Sequence, residues 1–415
     1  MKNFRVLPLL LTLFLDSMGF GLVLPLFSTL FFDPTHGIIG AEVSMSTRGT
    51  LYGLLIASFA IGQFFGSPIV GALSDRKGRK KILLLTLLLA CGAYMCSAIA
   101  VSVKSAWLLF IGRFASGIAG SNMAVAQSAI ADQRKNEEKA KTFGLLGAVW
   151  GIGFIFGPFV GGRLASLSSF PHPMALPFWF AFILCAVNLI SLVLTFNESL
   201  VKREDTRLHI SMALQHLRKA FSIPHLKGLF FVLFVIAFGW GFFTEFSPVW
   251  LMKKLAFDYK QIANFFGFVG VCVALCQGVL IRPILQRVSP ERLFPIALIG
   301  LGIACWVSLS VRTHVQIYPA LLAIAFTEAL VFTTASTLVS NYSDRTMQGE
   351  MMGINNSIQW AAIGLCPLFS GSFVAHYPAL PLLICGLAMF FAFGCFVKVC
   401  KPLFVKMGSP VKEIH

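Results

Sequence analysis

The sequence predicts an all-α integral membrane protein with twelve transmembrane helices in two pseudo-symmetric six-helix bundles. Three observations carry this prediction: the apolar composition, the length of the apolar runs and the distribution of positive charge. Of the 415 residues, 57% are hydrophobic and only 12% are charged, and the mean hydropathy is +0.81. A soluble domain of this size needs more charge to keep its exterior hydrated, so the composition indicates a lipid environment.

The apolar residues form runs long enough to cross a hydrocarbon core of about 30 Å. Only helices and closed barrels satisfy the backbone in lipid, and barrel strands are far shorter than these runs, so the runs are predicted to be helices. The first run follows a short basic start but has no small-residue cleavage site, which favours a retained helix over a signal peptide. The twelve runs are 7–32, 48–73, 82–101, 106–131, 142–165, 175–196, 226–252, 261–281, 293–311, 315–340, 351–373 and 378–398.

Positive charge predicts the orientation. Most of the 33 Lys and Arg residues fall in segments that lie inside if both termini are cytoplasmic. These basic segments face the anionic inner leaflet, so the net charge of +16 needs no nucleic acid partner. The short outer loops suit a bacterial inner (cytoplasmic) membrane, which is the predicted location of this multi-pass chain.

A long polar segment, 197–227, divides the chain into two predicted six-helix bundles, 1–196 and 228–415, the second ending in a short cytoplasmic tail. We expect this segment to be a cytoplasmic linker on the membrane surface. The two halves contain similar motifs at corresponding positions: "GPFVGG" at 157–162 corresponds to "GLCPLFSG" at 364–371. Two repeats of six helices suggest alternating access around a midplane site.

Between the second and third runs lies the charged stretch "GALSDRKGRKK" at 71–81. Asp75 is near a helix C-terminus, where the helix dipole disfavours a carboxylate, so it is expected to have a partner such as a basic side chain or another helix's N-terminus. Gly78 permits a tight turn. The simpler interpretation is a solvated charged turn that obeys the positive-inside rule.

The fifth run contains "GAVWGIGFIFGPFVGG" at 147–162. Gly153, Gly157 and Gly161 recur every four residues and form a smooth face that lets another helix approach closely. Pro158 can bend the helix there. The residues alone leave two interpretations open: ordinary tight packing, or a hinge or seal between the two halves.

Four charged residues lie inside the apolar runs, where charges usually face a cavity and have partners. They are Asp16, Arg113, Glu245 and Glu328. By the helical rise, Asp16 is about 13 Å from the inner surface and Arg113 about 12 Å from the outer one, so their depths differ by only about 5 Å. This similarity suggests a pairing. For each acid, the alternative is a carboxylate hydrogen-bonded to neighbouring helices.

These motifs together resemble the major facilitator superfamily across essentially the whole chain. "GALSDRKGRK" matches the signature loop after helix 2, Arg113 matches the conserved arginine of helix 4, and "GxxxGPxxGG" at 153–162 matches the helix 5 motif associated with antiporters. "LDSMGFGLVLPL" at 15–26 is similar to the first helix of the twelve-helix drug/proton antiporters, especially tetracycline exporters. "QGEMMGINNSIQWAAIGLCPLFSG" at 348–371 resembles their helix 11.

The resemblance implies roles for these residues. Asp16, near Arg113, would load and unload a proton, and Glu245 and Glu328 would be further sites for a proton or a cationic substrate. The resemblance also implies a conformational latch after helix 2, and the glycine face of helix 5 keeps its alternative interpretation as a hinge. The residues carried over are Gly71, Asp75, Arg76, Gly78, Arg79 and Asp132 for the latch, and Gly153, Gly157, Pro158 and Gly161 for the hinge. The second-half copy of the loop, 278–293, lacks the aspartate.

A substrate cavity is expected to be lined by polar and aromatic side chains within the runs, which suits an amphipathic organic solute. The candidates are Gln63, Asn122, Gln127, Trp150, Trp240, Asn264, Asn355, Asn356, Gln359 and Trp360.

The leading hypothesis is a proton-coupled exporter of drugs or of an amphipathic metabolite. A second hypothesis is a proton-coupled importer or exchanger of a polar or anionic metabolite such as a siderophore or organic acid, in which Arg113 pairs with a substrate carboxylate. A third is a membrane receptor without flux, which the intact motifs disfavour.

The sequence contains no nucleotide-binding loop, metal-ligand cluster or nucleophile constellation, so neither an enzyme nor a cofactor is expected. The expected partners are a small molecule, protons and the lipid bilayer, with a monomeric chain.

Overall fold

The computed structural model describes residues 7–33, 37–40, 42–122, 125–126, 128–129, 136–167, 169–200, 212–224, 226–343, 348–400 and 402. Within these residues the chain is almost entirely helical and contains no β-strand. Its α-helices are α1 (Leu7–Phe32), α2 (Met45–Lys77), α3 (Arg79–Ser102), α4 (Ala106–Ala119), α5 (Asn136–Ala165), α6 (Leu176–Thr195), α7 (Met212–Ser222), α8 (Lys227–Leu255), α9 (Tyr259–Leu275), α10 (Ile281–Arg287), α11 (Pro290–Ser308), α12 (Ile317–Asn341), α13 (Gln348–His376) and α14 (Leu380–Cys395).

Each of the twelve predicted apolar runs contains a helix, so the all-helical membrane fold is confirmed. In the part of the chain that the structure describes, eight helices are long and apolar enough to cross a membrane by themselves. Three shorter apolar helices, Ala106–Ala119, Gly151–Ala165 and Tyr259–Leu275, coincide with further runs. The number of twelve complete spans stays a prediction.

The inner connection between the second and third helices differs from the prediction. The sequence indicated a charged loop, but α2 continues to Lys77 and α3 starts at Arg79, so that Gly78 alone joins them. The hydropathy window ends where charge begins, whereas the backbone hydrogen bonds of a helix continue into the polar interfacial region. Most of the latch residues are therefore helical.

The chain divides into two compact units. The first comprises Met1–Ala213, Ala256–Val271 and Leu368–His376. Within it α1 packs on α5 and α6, α3 packs on α4 and α6, and α2 packs on α4. Its apolar core includes the fully buried side chains Leu13 and Phe196.

The second unit comprises Leu214–Leu255, Cys272–Pro367 and Tyr377–His415. Here α8 packs on α14, and α11 packs on both α12 and α14. Short π-helical segments continue α9 and α14 at Cys276–Leu280 and Phe396–Cys400. The predicted division into 1–196, 197–227 and 228–415 remains a prediction.

Candidate functional site

Asp16 lies in the apolar helix α1, and its carboxylate oxygen Oδ2 is buried without a hydrogen bond of standard geometry in the described part of the chain. Its polar neighbour is the side chain of Asn122, which is fully buried. Asn122 is itself held by Thr86, whose hydroxyl donates to Asn122 Oδ1. Helix α1 therefore carries a carboxylate into a buried polar cluster of the first unit.

The face of α1 that holds Asp16 is turned toward α3 and α6. Thr12, Asp16 and Gly19 lie at i, i+4 and i+7, so they share this face. Asn188 of α6 donates from Nδ2 to Thr12 Oγ1 at 3.1 Å. At the other end, a Cβ on Gly19 would lie 2.9 Å from Tyr94 Cζ and collide with the tyrosine hydroxyl. Gly19 is thus the residue that admits the Tyr94 ring.

Arg113 of α4 is only 3% exposed. Its guanidinium carbon lies 4.7 Å from the ring centroid of Phe27 and 4.4 Å from that of Phe59, which is cation–π geometry. The aromatic rings thus help to stabilise a positive charge inside the membrane. Asp16 and Arg113 are both close enough to Tyr94 to act on its hydroxyl electrostatically, and their pairing stays a prediction.

The two predicted acids of the second half lie in the second unit. Glu245 of α8 is 4% exposed. Glu328 of α12 is partly exposed, but its Oε2 is buried and has no hydrogen-bond partner among the described residues. Glu328 is close enough to Cys276 to act on its thiol electrostatically, and Cys276 opens the π-helical segment after α9. Interrupted helices of this kind recur at functional sites.

The predicted polar cavity residues differ in burial. Gln63 is buried and donates from Nε2 to the Gly120 carbonyl at 3.4 Å, so it bridges α2 and the end of α4. Asn355 is buried, and its Oδ1 has no hydrogen-bond partner in the described chain. Asn264 and Asn356 are exposed, and Gln359 is partly exposed. Gln127 lies outside the described residues.

Of the aromatic residues predicted to line the cavity, Trp240 and Trp360 lie in the second unit and have described side chains. Trp240 stacks on Phe243 with ring centroids 4.8 Å apart and meets Phe332 edge-on at 6.0 Å. Trp360 is partly exposed on α13. Trp150 belongs to α5, but its side chain lies outside the described residues.

The residues predicted to form a latch lie around Gly78, which has φ +102° and ψ 144°. Arg79, the first residue of α3, is buried and donates to Ser74 Oγ at 2.5 Å. The Arg79 guanidinium also lies 2.5 Å from Asp75, the expected kind of basic partner. Residues 71–79 thus form the end of α2, the turn at Gly78 and the first residue of α3, whereas Asp132 lies outside the described part.

A residue that the sequence analysis did not identify, Glu198, holds the start of α3. Its Oε1 accepts from the backbone N–H of Arg79 at 2.9 Å, and its Oε2 accepts from the backbone N–H of Lys80 at 3.2 Å. The same carboxylate accepts from the N–H groups of Ser199 and Leu200, both at 3.0 Å. A carboxylate at a helix N-terminus satisfies unpaired N–H groups and complements the dipole. The only sequence signal was an acid directly after the sixth run.

The small-residue face of α5 packs on α1. A Cβ on Gly153 would lie 3.1 Å from Met18 N, and one on Gly161 would lie 3.0 Å from the Leu22 carbonyl carbon. The contact is therefore backbone to backbone, as small-residue repeats in membrane helices permit. Pro158 Cδ lies 2.9 Å from the position of a Cβ on Gly21. The partner of this face is thus a helix of the same unit, and a hinge role stays a prediction.

The sequence of this chain matches the family model described as "Major Facilitator Superfamily" over residues 9–367 and 230–403. The chain belongs to the Major Facilitator Superfamily.

Individual relatives agree with this membership. "Tetracycline resistance protein, class E" from Escherichia coli is 28% identical over 380 residues, which cover 88% of this chain and 87% of the relative. "Multidrug resistance protein 2" from Bacillus subtilis (strain 168) is 25% identical over 398 residues, covering 93% and 92%. The solved structure of the human organic anion transporter MFSD10 (TETRAN) shares the fold, with 24% identity and a TM-score of 0.71 over 95% of this chain and 99% of that one.

Membership of the Major Facilitator Superfamily makes this chain a multi-pass membrane transporter for a small molecule, not an enzyme. The polar cluster around Asp16, the cation at Arg113 and the turn at Gly78 are therefore parts of a transporter. Their individual roles belong to the proposal below.

We expect Glu198→Gln in this Major Facilitator Superfamily protein to lower the free energy of unfolding by about 0.3–1 kcal/mol, because an anion at a helix N-terminus contributes that much. The glutamine keeps the shape but loses the charge and one acceptor oxygen. Thermal unfolding in detergent at low and at high salt measures this loss. The difference from wild type should shrink at high salt, where surface charges are screened. An equal loss at both salt concentrations would contradict the charge argument.

Proposed function

We propose that this transporter is a proton-coupled exporter of drugs or of an amphipathic small metabolite, working by alternating access. The observation that carries the proposal is the buried carboxylate oxygen of Asp16 inside the apolar helix α1. An ionisable group in the membrane that is close to polar neighbours is suited to carry a proton. The names of the tetracycline and multidrug resistance relatives support export of an organic solute.

Four charged residues form the proposed coupling set. Asp16 takes up and releases the proton, and Arg113 supplies a fixed positive charge in the same unit, which favours the ionised form of a nearby carboxylate. Glu245 and Glu328 are further sites for a proton or for a cationic substrate. Their position inside the spans of α8 and α12 supports this role.

The proposed substrate cavity combines amide side chains with aromatic rings. Trp240, with its stacked neighbour Phe243, offers an apolar surface, and the buried amide of Asn355 offers an acceptor oxygen. Such a lining suits an amphipathic ligand. The set is Gln63, Asn122, Gln127, Trp150, Trp240, Asn264, Asn355, Asn356 and Gln359.

The latch and the hinge are proposed from residue geometry and from the family. The ordered turn at Gly78, with Arg79 held by Asp75 and Ser74, supports a latch that holds one conformation. The backbone contact between α5 and α1 supports two helices that move together, and Pro158 is the proposed point at which α5 bends.

The proposed setting is a bacterial inner membrane, with both termini cytoplasmic and the chain a monomer. The excess of Lys and Arg in the predicted inner segments supports the orientation. In the same proposal, residues 1–196 and 228–415 are the two bundles and residues 197–227 the cytoplasmic linker.

The proposal is tested with inside-out membrane vesicles that carry a respiration-driven pH gradient and a pH-sensitive dye. Cationic drugs, tetracyclines, organic acids and siderophores are added in turn. We expect a substrate to discharge the gradient with the wild type, and we expect Asp16→Asn to reduce this discharge to background, because the amide cannot exchange a proton.

The matched control is Glu42→Gln, which removes an exposed carboxylate outside the helices of the same unit. It should discharge the gradient as the wild type does. Equal discharge by wild type and Asp16→Asn with the same compound would remove Asp16 from the coupling path.

A second candidate function is proton-coupled import or exchange of a polar or anionic metabolite. The observation that favours it is the buried guanidinium of Arg113, since arginine binds carboxylates bidentately. The structural relative named as an organic anion transporter agrees with this reading. Accumulation of a radiolabelled organic acid or siderophore in intact cells, without discharge of the vesicle gradient by any compound, would favour uptake over export.

A further inference from the structure

A small cavity lies inside the first unit, between α1, α3 and α6. It is lined by Asp16, Tyr94 and Asn188 among apolar side chains such as Leu22 and Leu87. The space for the centre of a water molecule is about 10 Å³. This is the room that one buried water needs.

Two residues that line this cavity, Asp16 and Asn188, each carry a buried acceptor oxygen. Asn188 is 0% exposed. Its Nδ2 donates to Thr12, but its Oδ1 has no hydrogen-bond partner among the described residues. Asp16 Oδ2 is also buried and has no hydrogen bond of standard geometry in the described part of the chain. An unpaired buried acceptor is unfavourable, and two acceptors cannot satisfy each other. Asn122 Nδ2 is a donor on the other side of Asp16, but Asn122 does not line the cavity, so Asn188 Oδ1 still needs a donor inside it.

We propose that one water molecule occupies this cavity and bridges Asp16 Oδ2 and Asn188 Oδ1, which makes Asn188 a positioning residue for the proton on Asp16. This inference rests on the proposed function only in giving Asp16 a proton to carry. When Asp16 is ionised, the water donates one O–H to each oxygen. When Asp16 is protonated, its O–H donates to the water, which still donates to Asn188. One bridging water thus fits both protonation states.

Cavity size and ligand count favour water over a metal ion. The polar side chains at the cavity are Asp16, Asn188 and Tyr94, whereas calcium and magnesium take six or more oxygen ligands. Two to four polar partners are typical of a buried water. The cavity therefore has the volume and the partners for one water molecule.

The test is infrared difference spectroscopy on the purified full-length protein in lipid, recorded between acidic and alkaline pH in ordinary water and in H₂¹⁸O. Bands that Asp16→Asn abolishes belong to Asp16. We expect an O–H band that is shifted by ¹⁸O and is absent in Asp16→Asn. We also expect Asn188→Leu, which is close in size but apolar, to lose that water band and to shift the Asp16 carbonyl band.

Two further variants keep the test sharp. Asn188→Asp in its protonated form keeps a donor for Thr12 and an acceptor for the water. At acidic pH, in the spectrum of ordinary water minus H₂¹⁸O, it should therefore retain the water band even if the leucine variant folds poorly. Thr195→Val removes an exposed hydroxyl from the same helix and should leave both bands unchanged.

A water band that survives in Asn188→Leu, or that is absent from the wild type, would overturn the inference. The spectra need no substrate, so this failure is separate from that of the proposed function. If Asp16→Asn stops vesicle discharge but Asn188→Leu changes no band, the function stands and the bridging water fails. If no compound discharges the gradient but the bands behave as expected, the water stands and the export proposal fails.

Discussion

Replacing Gly157 by alanine is expected to lower the free energy of unfolding by about 1–3 kcal/mol, the usual effect of overpacking, and to remove most of the transport activity. The added Cβ would lie 2.7 Å from Leu22 N and 2.9 Å from the Gly21 carbonyl carbon, and it would collide with the Met18 carbonyl oxygen. These are backbone atoms of α1, which cannot rotate away as a side chain can. The two helices must therefore separate, and the separation disturbs the helix that carries Asp16.

The matched control is Gly151→Ala on the same helix. A Cβ there has nothing within 4 Å, so the substitution should be neutral or stabilise by up to about 1 kcal/mol through helix propensity. Thermal unfolding in detergent and the vesicle dye assay measure both effects. A Gly157→Ala protein that unfolds and transports like Gly151→Ala would show that the α1–α5 contact tolerates separation.

Replacing Gly78 by alanine is expected to destabilise the turn between α2 and α3 and to impair transport strongly. Gly78 has φ +102° and ψ 144°, a positive-φ conformation that costs a residue with a side chain about 1–3 kcal/mol. The new Cβ would also lie 3.1 Å from Glu198 Cδ and collide with Oε2. The carboxylate would then be pushed away from the N–H groups of Arg79 and Lys80.

Gly92→Ala on α3 is the matched control, because a Cβ at Gly92 has nothing within 4 Å. We expect it to unfold at the wild-type temperature or slightly above it, since alanine favours a helix over glycine, whereas Gly78→Ala unfolds at a lower temperature. Transport in vesicles is measured on the same preparations and should be unchanged in Gly92→Ala. If Gly78→Ala unfolds at the wild-type temperature and transports normally, the glycine turn is not required.

The sequence predicted the helices well because their signal is local. Each apolar run coincides with a helix, and the four-residue spacing of Gly153, Gly157 and Gly161 marked a face for close packing. The spacing carried no information about which helix would pack there. The predicted loop around Gly78 was too long, because hydropathy reports solvent preference and not the backbone hydrogen bonding that continues α2 to Lys77.

Polar partners were much harder to predict. Asn188 and Thr12 are 176 positions apart, and Glu198 and Arg79 are 119 apart. Depth in the membrane suggested Arg113 as the neighbour of Asp16, and this pairing stays a prediction, because depth does not specify the direction in which a side chain points around its helix. Asn188 and Glu198 were missed because nothing in their own surroundings distinguishes them from ordinary polar residues at these positions.

Composition, run length and charge are sums over neighbouring residues. They were enough to establish that this chain is helical and membrane-embedded, with a carboxylate and a guanidinium inside its spans. Three contacts became visible only in the folded chain: α5 packs on α1 through its glycines, Glu198 holds the start of α3, and Asp16 and Asn188 share one cavity. Those contacts join residues far apart in the chain, and they depend on how each helix is rotated against its neighbours.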